Sequence, residues 1–242
     1  MRHPITALAL LTLAAPALAG SAPGFVSSFN IGTSTFAAYG PFTNPIETTS
    51  DADPIASFFG SANSSSLLET FDTDGDIVDR ATGNSNLTVS GAAQEWTIQA
   101  MTSAISGSQL FATRSNAEFL FDAEFWLGAG QEFNLNRTVF QKIDGGDDTL
   151  GFNEWDINVY RDDVLIYMSG GGGQSFGTTE TLGASYRLEI LGGSYSGTSN
   201  GPGGRFSLGE LTLTVNVSIV PAPMTAAPLA FAGVLAARRR RA

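Results

Sequence analysis

The chain has 242 residues, a formal net charge of −11, no cysteine and one histidine, His3. That length suits one or two domains; without cysteine there is no disulfide or thiol chemistry, and without the N-terminus there is no imidazole for a Ser-His-Asp triad, a Cys-His pair or a typical zinc site. All 23 acidic residues lie between Glu47 and Glu210 against seven basic ones, so this body repels nucleic-acid phosphates and anionic lipid, and nucleic acid is not an expected partner.

At the N-terminus, Arg2 and His3 precede an apolar run from Ile5 to Ala15, then Pro16 and the triplet Ala17-Leu18-Ala19. Basic, apolar and small-residue regions in that order predict a secretory signal peptide over residues 1–19, cut between Ala19 and Gly20. The mature body is therefore expected outside the cytoplasm. Its surface fits that setting: charged residues make up only 14% of the chain, against about 25% in an average soluble domain, and Gly, Ser, Thr and Asn take their place.

The body, residues 20–218, is expected as one unit. Its first part is broken by Pro41, Pro45 and Pro54, and apolar pairs such as Phe58-Phe59 suggest edge strands and loops packed on a larger sandwich. FDTDGDIVDR follows, setting Asp72, Asp74, Asp76 and Asp79 around Gly75. Its first three carboxylates match positions 1, 3 and 5 of a calcium loop, but Gly falls at position 4 and Gly83 stands where a bidentate Glu belongs. A Ca²⁺ site and a solvated acidic turn are both readings of this segment. EWTIQA near Trp96, Phe119 to Leu127 and Phe133 to Phe140 then read as strands.

KIDGGDDTLGFNEWD forms a second acidic loop around Asp144, Asp147 and Asp148, followed by Asn153, Glu154 and Asp156; it reads as a cation loop or as a charged hairpin turn. In EWDINVYRDDVLIYM, Trp155, Ile157 and Val159 alternate inward, a tight turn falls at Asp162 and Asp163, and Val164 to Met168 returns as a hairpin. Gly170 to Gly173, and the Gly/Ser/Asn run from Gly192 to Gly204, are expected as long flexible loops. SYRLEIL puts Tyr186, Leu188 and Ile190 on one face. LTLTVNVSI alternates strictly, with Leu211, Leu213, Val215, Val217 and Ile219 opposed to Thr212, Thr214, Asn216 and Ser218. No helical stripe interrupts this pattern. The expected fold is all-β: an antiparallel, jelly-roll-like β-sandwich flanked by an N-terminal signal helix and a short C-terminal apolar helix.

Residues 219–242 form the last expected unit. Val220-Pro221-Ala222-Pro223 is followed by 14 uncharged residues, Met224 to Ala237, and by Arg238, Arg239, Arg240 and Arg241. As a helix the uncharged run spans about 21 Å, short of the roughly 30 Å hydrocarbon core, which suits a transient anchor. A basic cluster after an apolar run stays cytoplasmic during export. Together these features resemble the PEP-CTERM sorting signal, with Pro-Ala-Pro in place of Pro-Glu-Pro. The resemblance covers about a tenth of the chain. It implies recognition by an exosortase-type membrane enzyme, cleavage near the Pro-x-Pro motif, and release or transfer to the cell surface in bacteria that make exopolysaccharide.

Chemistry in the body is sparse. Lys142 is the one candidate amine nucleophile, and Gly170 to Gly173 lacks the Lys-Ser/Thr of a phosphate loop. Glu124 beside Trp126, and Glu154 with Asp156 around Trp155, are the carboxylates a glycoside hydrolase would use. Tyr160, Tyr167, Tyr195 and Trp126 are candidate glycan-stacking aromatics. Ice binding needs a flat threonine array, and Thr212 with Thr214 is a single pair. The expected function is that of an exported, surface-sorted, non-catalytic protein, structural or adhesive within an extracellular polysaccharide matrix. A Ca²⁺-dependent glycan-binding module and a glycoside hydrolase are the alternatives.

Overall fold

A computed structural model describes residues 26–40, 47–92, 94–145, 151–169, 175–198 and 205–221. The signal segment with Ala17, Ala19 and Gly20, the tail from Ala222 through Arg241, both expected flanking helices and the Gly170 to Gly173 loop lie outside the described residues.

Twelve strands fill the described chain: β1 (Val26–Tyr39), β2 (Glu47–Pro54), β3 (Gly60–Phe71), β4 (Ile77–Ala92), β5 (Glu95–Ser108), β6 (Thr113–Leu127), β7 (Gln131–Gly145), β8 (Phe152–Arg161), β9 (Val164–Met168), β10 (Ser175–Glu180), β11 (Ala184–Thr198) and β12 (Arg205–Pro221). They form two antiparallel sheets. The first has the order β2-β1-β6-β11-β8-β9 and the second β10-β7-β12-β5-β4-β3. Period-two alternation explains the arrangement: in β6, β11 and β12 every second side chain is buried between the sheets and the others face out.

The interior has two unlike halves. One is aromatic: Trp96, Phe121, Phe125, Phe133 and Tyr186 are fully buried, with Trp96 and Phe125 edge to face at 5.2 Å. Phe58 joins it from the β2–β3 connection, 4.9 Å from Trp96. The other half is built of small and hydroxylated residues whose side chains bridge the sheets. The Ser85 hydroxyl donates to the Glu118 carbonyl at 2.8 Å, the Thr102 and Ser194 hydroxyls meet at 2.6 Å, and the Ser196 hydroxyl donates to the Ser207 carbonyl at 2.7 Å. Such bonds need closely spaced sheets. Here a Cβ on Gly83 of β4 would meet the Asn116 carbonyl of β6, so the sheets lie closer than the usual separation of about 10 Å.

Two expectations are corrected. Gly192 to Thr198, expected within a flexible loop, continue β11 and pair with β6 throughout, and Gly192 to Tyr195 pair with β8 as well. Their small side chains are what the thin half of the interior accepts, so the composition that suggests a loop here marks close packing. The N-terminal part of the body also holds more than edge strands, because β1 pairs with β2 on one side and along β6 on the other. The free edge of β3 is capped across the sandwich by β2: Asp53 accepts from the Asn63 amide N–H at 2.8 Å and Asp51 from that of Ser65 at 3.0 Å.

Candidate functional site

The acidic turn between β3 and β4 separates into two parts. Asp72 folds back on its own turn, one carboxylate oxygen accepting from the N–H groups of Asp74 and Asp76, both at 2.9 Å. Gly75 takes the positive φ of 88° that closes this turn. Asp79 sits beyond it on β4, only 2% exposed. One of its oxygens accepts from the N–H groups of Gln109, Leu110 and Phe111 at 2.9, 2.9 and 3.1 Å, and the other from the Thr70 hydroxyl at 2.9 Å. This carboxylate holds the β5–β6 connection against β4. The structure therefore leaves Asp72, Asp74 and Asp76 in an exposed turn without the fourth ligand. Among the described residues no three acidic or histidine side chains converge on a metal position. The side chains of Lys142, Asp144, Asp147 and Asp148 lie outside the described residues.

The outer face of the first sheet carries the carboxylates considered for glycoside hydrolysis. Glu154 and Asp156 are exposed on β8, while Trp155 between them turns inward under Arg137, whose guanidinium lies 4.2 Å from the ring centre. Glu124 accepts from the Ser28 hydroxyl at 3.1 Å. A closer juxtaposition was not legible from spacing: Glu118, Gly193 and Glu154 share one rung across β6, β11 and β8, so two carboxylates flank a glycine. They line a shallow hollow of about 260 Å³ with Tyr195. Burial first, then the neighbouring Glu118 carboxylate, pushes the Tyr195 phenol up to about 12. Farther along this face Arg187 is clamped between Asp122, at 2.8 Å, and Glu189, at 2.7 Å.

The four candidate stacking aromatics do not form one platform. Tyr167 packs inward on Phe176 at 4.8 Å, Tyr195 stacks on Phe152 at 4.7 Å, and Tyr160 lies beside the Arg187 guanidinium. Trp126 is 54% exposed at the far end of β6.

The outer face of the second sheet is chemically different. One rung runs Ser61, Thr88, Gln99, Thr214, Thr138 across β3, β4, β5, β12 and β7; the next runs Asn63, Asn86, Met101, Thr212, and the next Ser65, Asn84, Ser103, Glu210. In the opposite direction, Thr97 and Asn216 pair through a 3.0 Å hydrogen bond. Among the described side chains the middle of this face is neutral hydroxyl and amide apart from Met101 and Glu210, the latter paired onward with Lys142 of β7, with Glu69, Arg80 and Glu95 toward its ends. The sequence showed Thr212 and Thr214 as one pair. Cross-strand registry sets Thr138 beside Thr214 and Thr88 beyond Gln99, a relation between distant segments that no local spacing encodes. Between β3 and β12 the face dips into a trough of about 690 Å³ lined by Asn63, Asn84, Asn86, Met101, Ser103 and Thr212.

No family model, curated protein or solved structure matches this chain.

Proposed function

We propose that this chain is an exported, surface-sorted and non-catalytic protein, a structural or adhesive component of an extracellular polysaccharide matrix, processed at its PEP-CTERM-like tail by an exosortase-type membrane enzyme. We read its body as a jelly-roll-like sandwich, with short helices in the signal and tail segments.

The observation that carries the reading is where the sheet ends. Val220 pairs with Glu132 and Pro221 with Gln131 on the last two rungs of β12 against β7. β12 ends at Pro221, the first proline of the motif, so every described rung of both sheets lies before Ala222. A processing enzyme acting just after Pro221 would leave the core of Leu211, Leu213, Val215, Val217 and Ile219 intact. The Ca²⁺-dependent module is the weaker reading, because Asp79 is already committed to three backbone N–H groups and a hydroxyl. Mass spectrometry of the protein isolated from its native cell surface tests the proposal. We expect a mature N-terminus at Gly20 and a C-terminus close to Pro221-Ala222-Pro223; a chain intact through Ala242 would overturn the processing step.

A further inference from the structure

Building on the polysaccharide-matrix reading, we propose that the trough on the outer face of the second sheet is a binding site for a neutral glycan chain lying across β3, β4, β5 and β12.

Its dimensions suit such a chain. The rungs Asn63-Asn86-Met101-Thr212 and Ser65-Asn84-Ser103-Glu210 each cross three interstrand gaps. At about 4.8 Å per gap this is roughly 14 Å, and each gap is comparable to the advance of one pyranose along an extended glycan. A chain laid along the rungs would meet one strand per sugar.

The chemistry of the lining matches the same ligand. A neutral sugar presents hydroxyls that both donate and accept. Asn63, Asn84 and Asn86 each offer both functions on one amide, and Ser103 and Thr212 do so on one hydroxyl. Met101, 58% exposed between Asn86 and Thr212, supplies an apolar, adaptable surface for the C–H face of a ring. The amide of Asn86 donates to the side-chain carbonyl of Asn63, which sets the two side chains against each other across β3 and β4. All these side chains stand on strands paired on both sides or, for β3, capped by β2, so the site is rigid.

Charge decides between ligand classes. The chain carries 23 acidic residues, yet among the described residues Glu210, paired onward with Lys142 of β7, is the one charged residue lining this trough. A sheet face that is merely solvated has no reason to exclude charge; ordinary surfaces are about 25–35% charged. An anionic polysaccharide would have to approach against the negative field of the whole body, whereas a neutral one pays no such penalty.

The test is affinity electrophoresis and calorimetry of the full chain with cellohexaose and dextran as neutral glycans and polygalacturonate as the anionic one. We expect at least one neutral glycan to bind, polygalacturonate not to, and Asn63→Ala with Asn86→Ala to weaken binding about tenfold or more. Met101→Lys at an exposed position provides a second variant with no buried group to unfold it, and should also abolish binding. Asn136→Ala, on the same face outside the trough, should leave it unchanged. Failure to bind either neutral glycan, tighter binding of polygalacturonate, or equal binding by the trough variants would overturn the site. Thermal hysteresis lost in the same variants would reassign the face to ice. None of these results depends on tail processing, so the two proposals fail separately.

Discussion

Glu180 shows how single residues hold this fold together. Its side chain is 2% exposed at the end of β10, but neither carboxylate oxygen is unpaired. One accepts from Arg161 Nε at 2.9 Å and from the Tyr186 hydroxyl at 3.1 Å; the other accepts from Arg161 Nη2 at 3.2 Å and from the N–H groups of Thr181, Leu182 and Gly183. The Arg161 hydrogen bonds first, then the backbone N–H groups, hold the carboxyl at about 2, below its ordinary value of 4.5. A depressed folded-state value means the native state binds the proton less readily than the unfolded chain. This contribution to stability is therefore complete above about pH 4.5 and is lost as pH falls toward 2. We expect urea midpoints to drop across that window and Glu180→Gln to flatten the drop. At pH 7 the same variant should cost about 1–2 kcal/mol, because Arg161 exchanges a charged acceptor for a neutral one but stays 39% exposed and beside Asp162. An unchanged acid limb in Glu180→Gln would show that other carboxylates set it.

At the scale of strands and turns, what was legible followed one rule: local alternation was readable and pairing between distant segments was not. LTLTVNVSI and SYRLEIL appear in β12 and β11 with the inward faces the sequence predicted, all of them buried. β3 was invisible because its inward positions hold Ala62, Ser64 and Ser66, which carry little hydropathy contrast with their neighbours. β11 was read short for the same reason, its last inward residues being Ser194, Ser196 and Thr198. The β8–β9 hairpin was fully legible, since two aspartates between apolar runs leave few alternatives. Asp162 and Asp163 have φ of 50° and 64°, the left-handed pair of a type I′ turn. Asp162 also earns its place by accepting from the Ser185 N–H at 3.1 Å. The second position has no such bond, so Asp163→Gly should stabilise by about 0.5 kcal/mol, while a β-branched Asp163→Val should destabilise by about 1 kcal/mol or more. Chemical denaturation of the two variants checks this; the opposite order would mean that the Asp163 side chain contributes more than its strained backbone costs.

The whole molecule depends on a difference in thickness between the two halves of its interior. Where Trp96, Phe125 and Phe133 meet, the sheets stand apart around large rings. In the hydroxyl half the sheets approach backbone to backbone, and glycines permit it. A Cβ on Gly83 of β4 would collide with the Asn116 carbonyl of β6, and one on Gly209 of β12 would lie 2.7 Å from the Tyr195 carbonyl and 3.0 Å from that of Phe152. Both obstacles are backbone of the opposite sheet, which cannot rotate away as a side chain would. Opposite changes of volume should therefore destabilise the two halves. Leu87→Ala, in the thick half, removes bulk and should cost about 3 kcal/mol by leaving a cavity. Gly83→Ala and Gly209→Ala add one methyl in the thin half and should each cost about 2 kcal/mol or more, because seating it requires the sheets to part and lengthens the Ser85–Glu118 and Ser196–Ser207 bonds between them. Ser61→Ala on the outer face adds nothing to the interior and should stay within about 0.5 kcal/mol of the parent. Urea denaturation of the four variants distinguishes this account from ordinary core packing. If Gly83→Ala and Gly209→Ala keep the parent midpoint, the sheets are not in backbone contact there, and the hydroxyl bridges must tolerate a wider gap than their lengths imply.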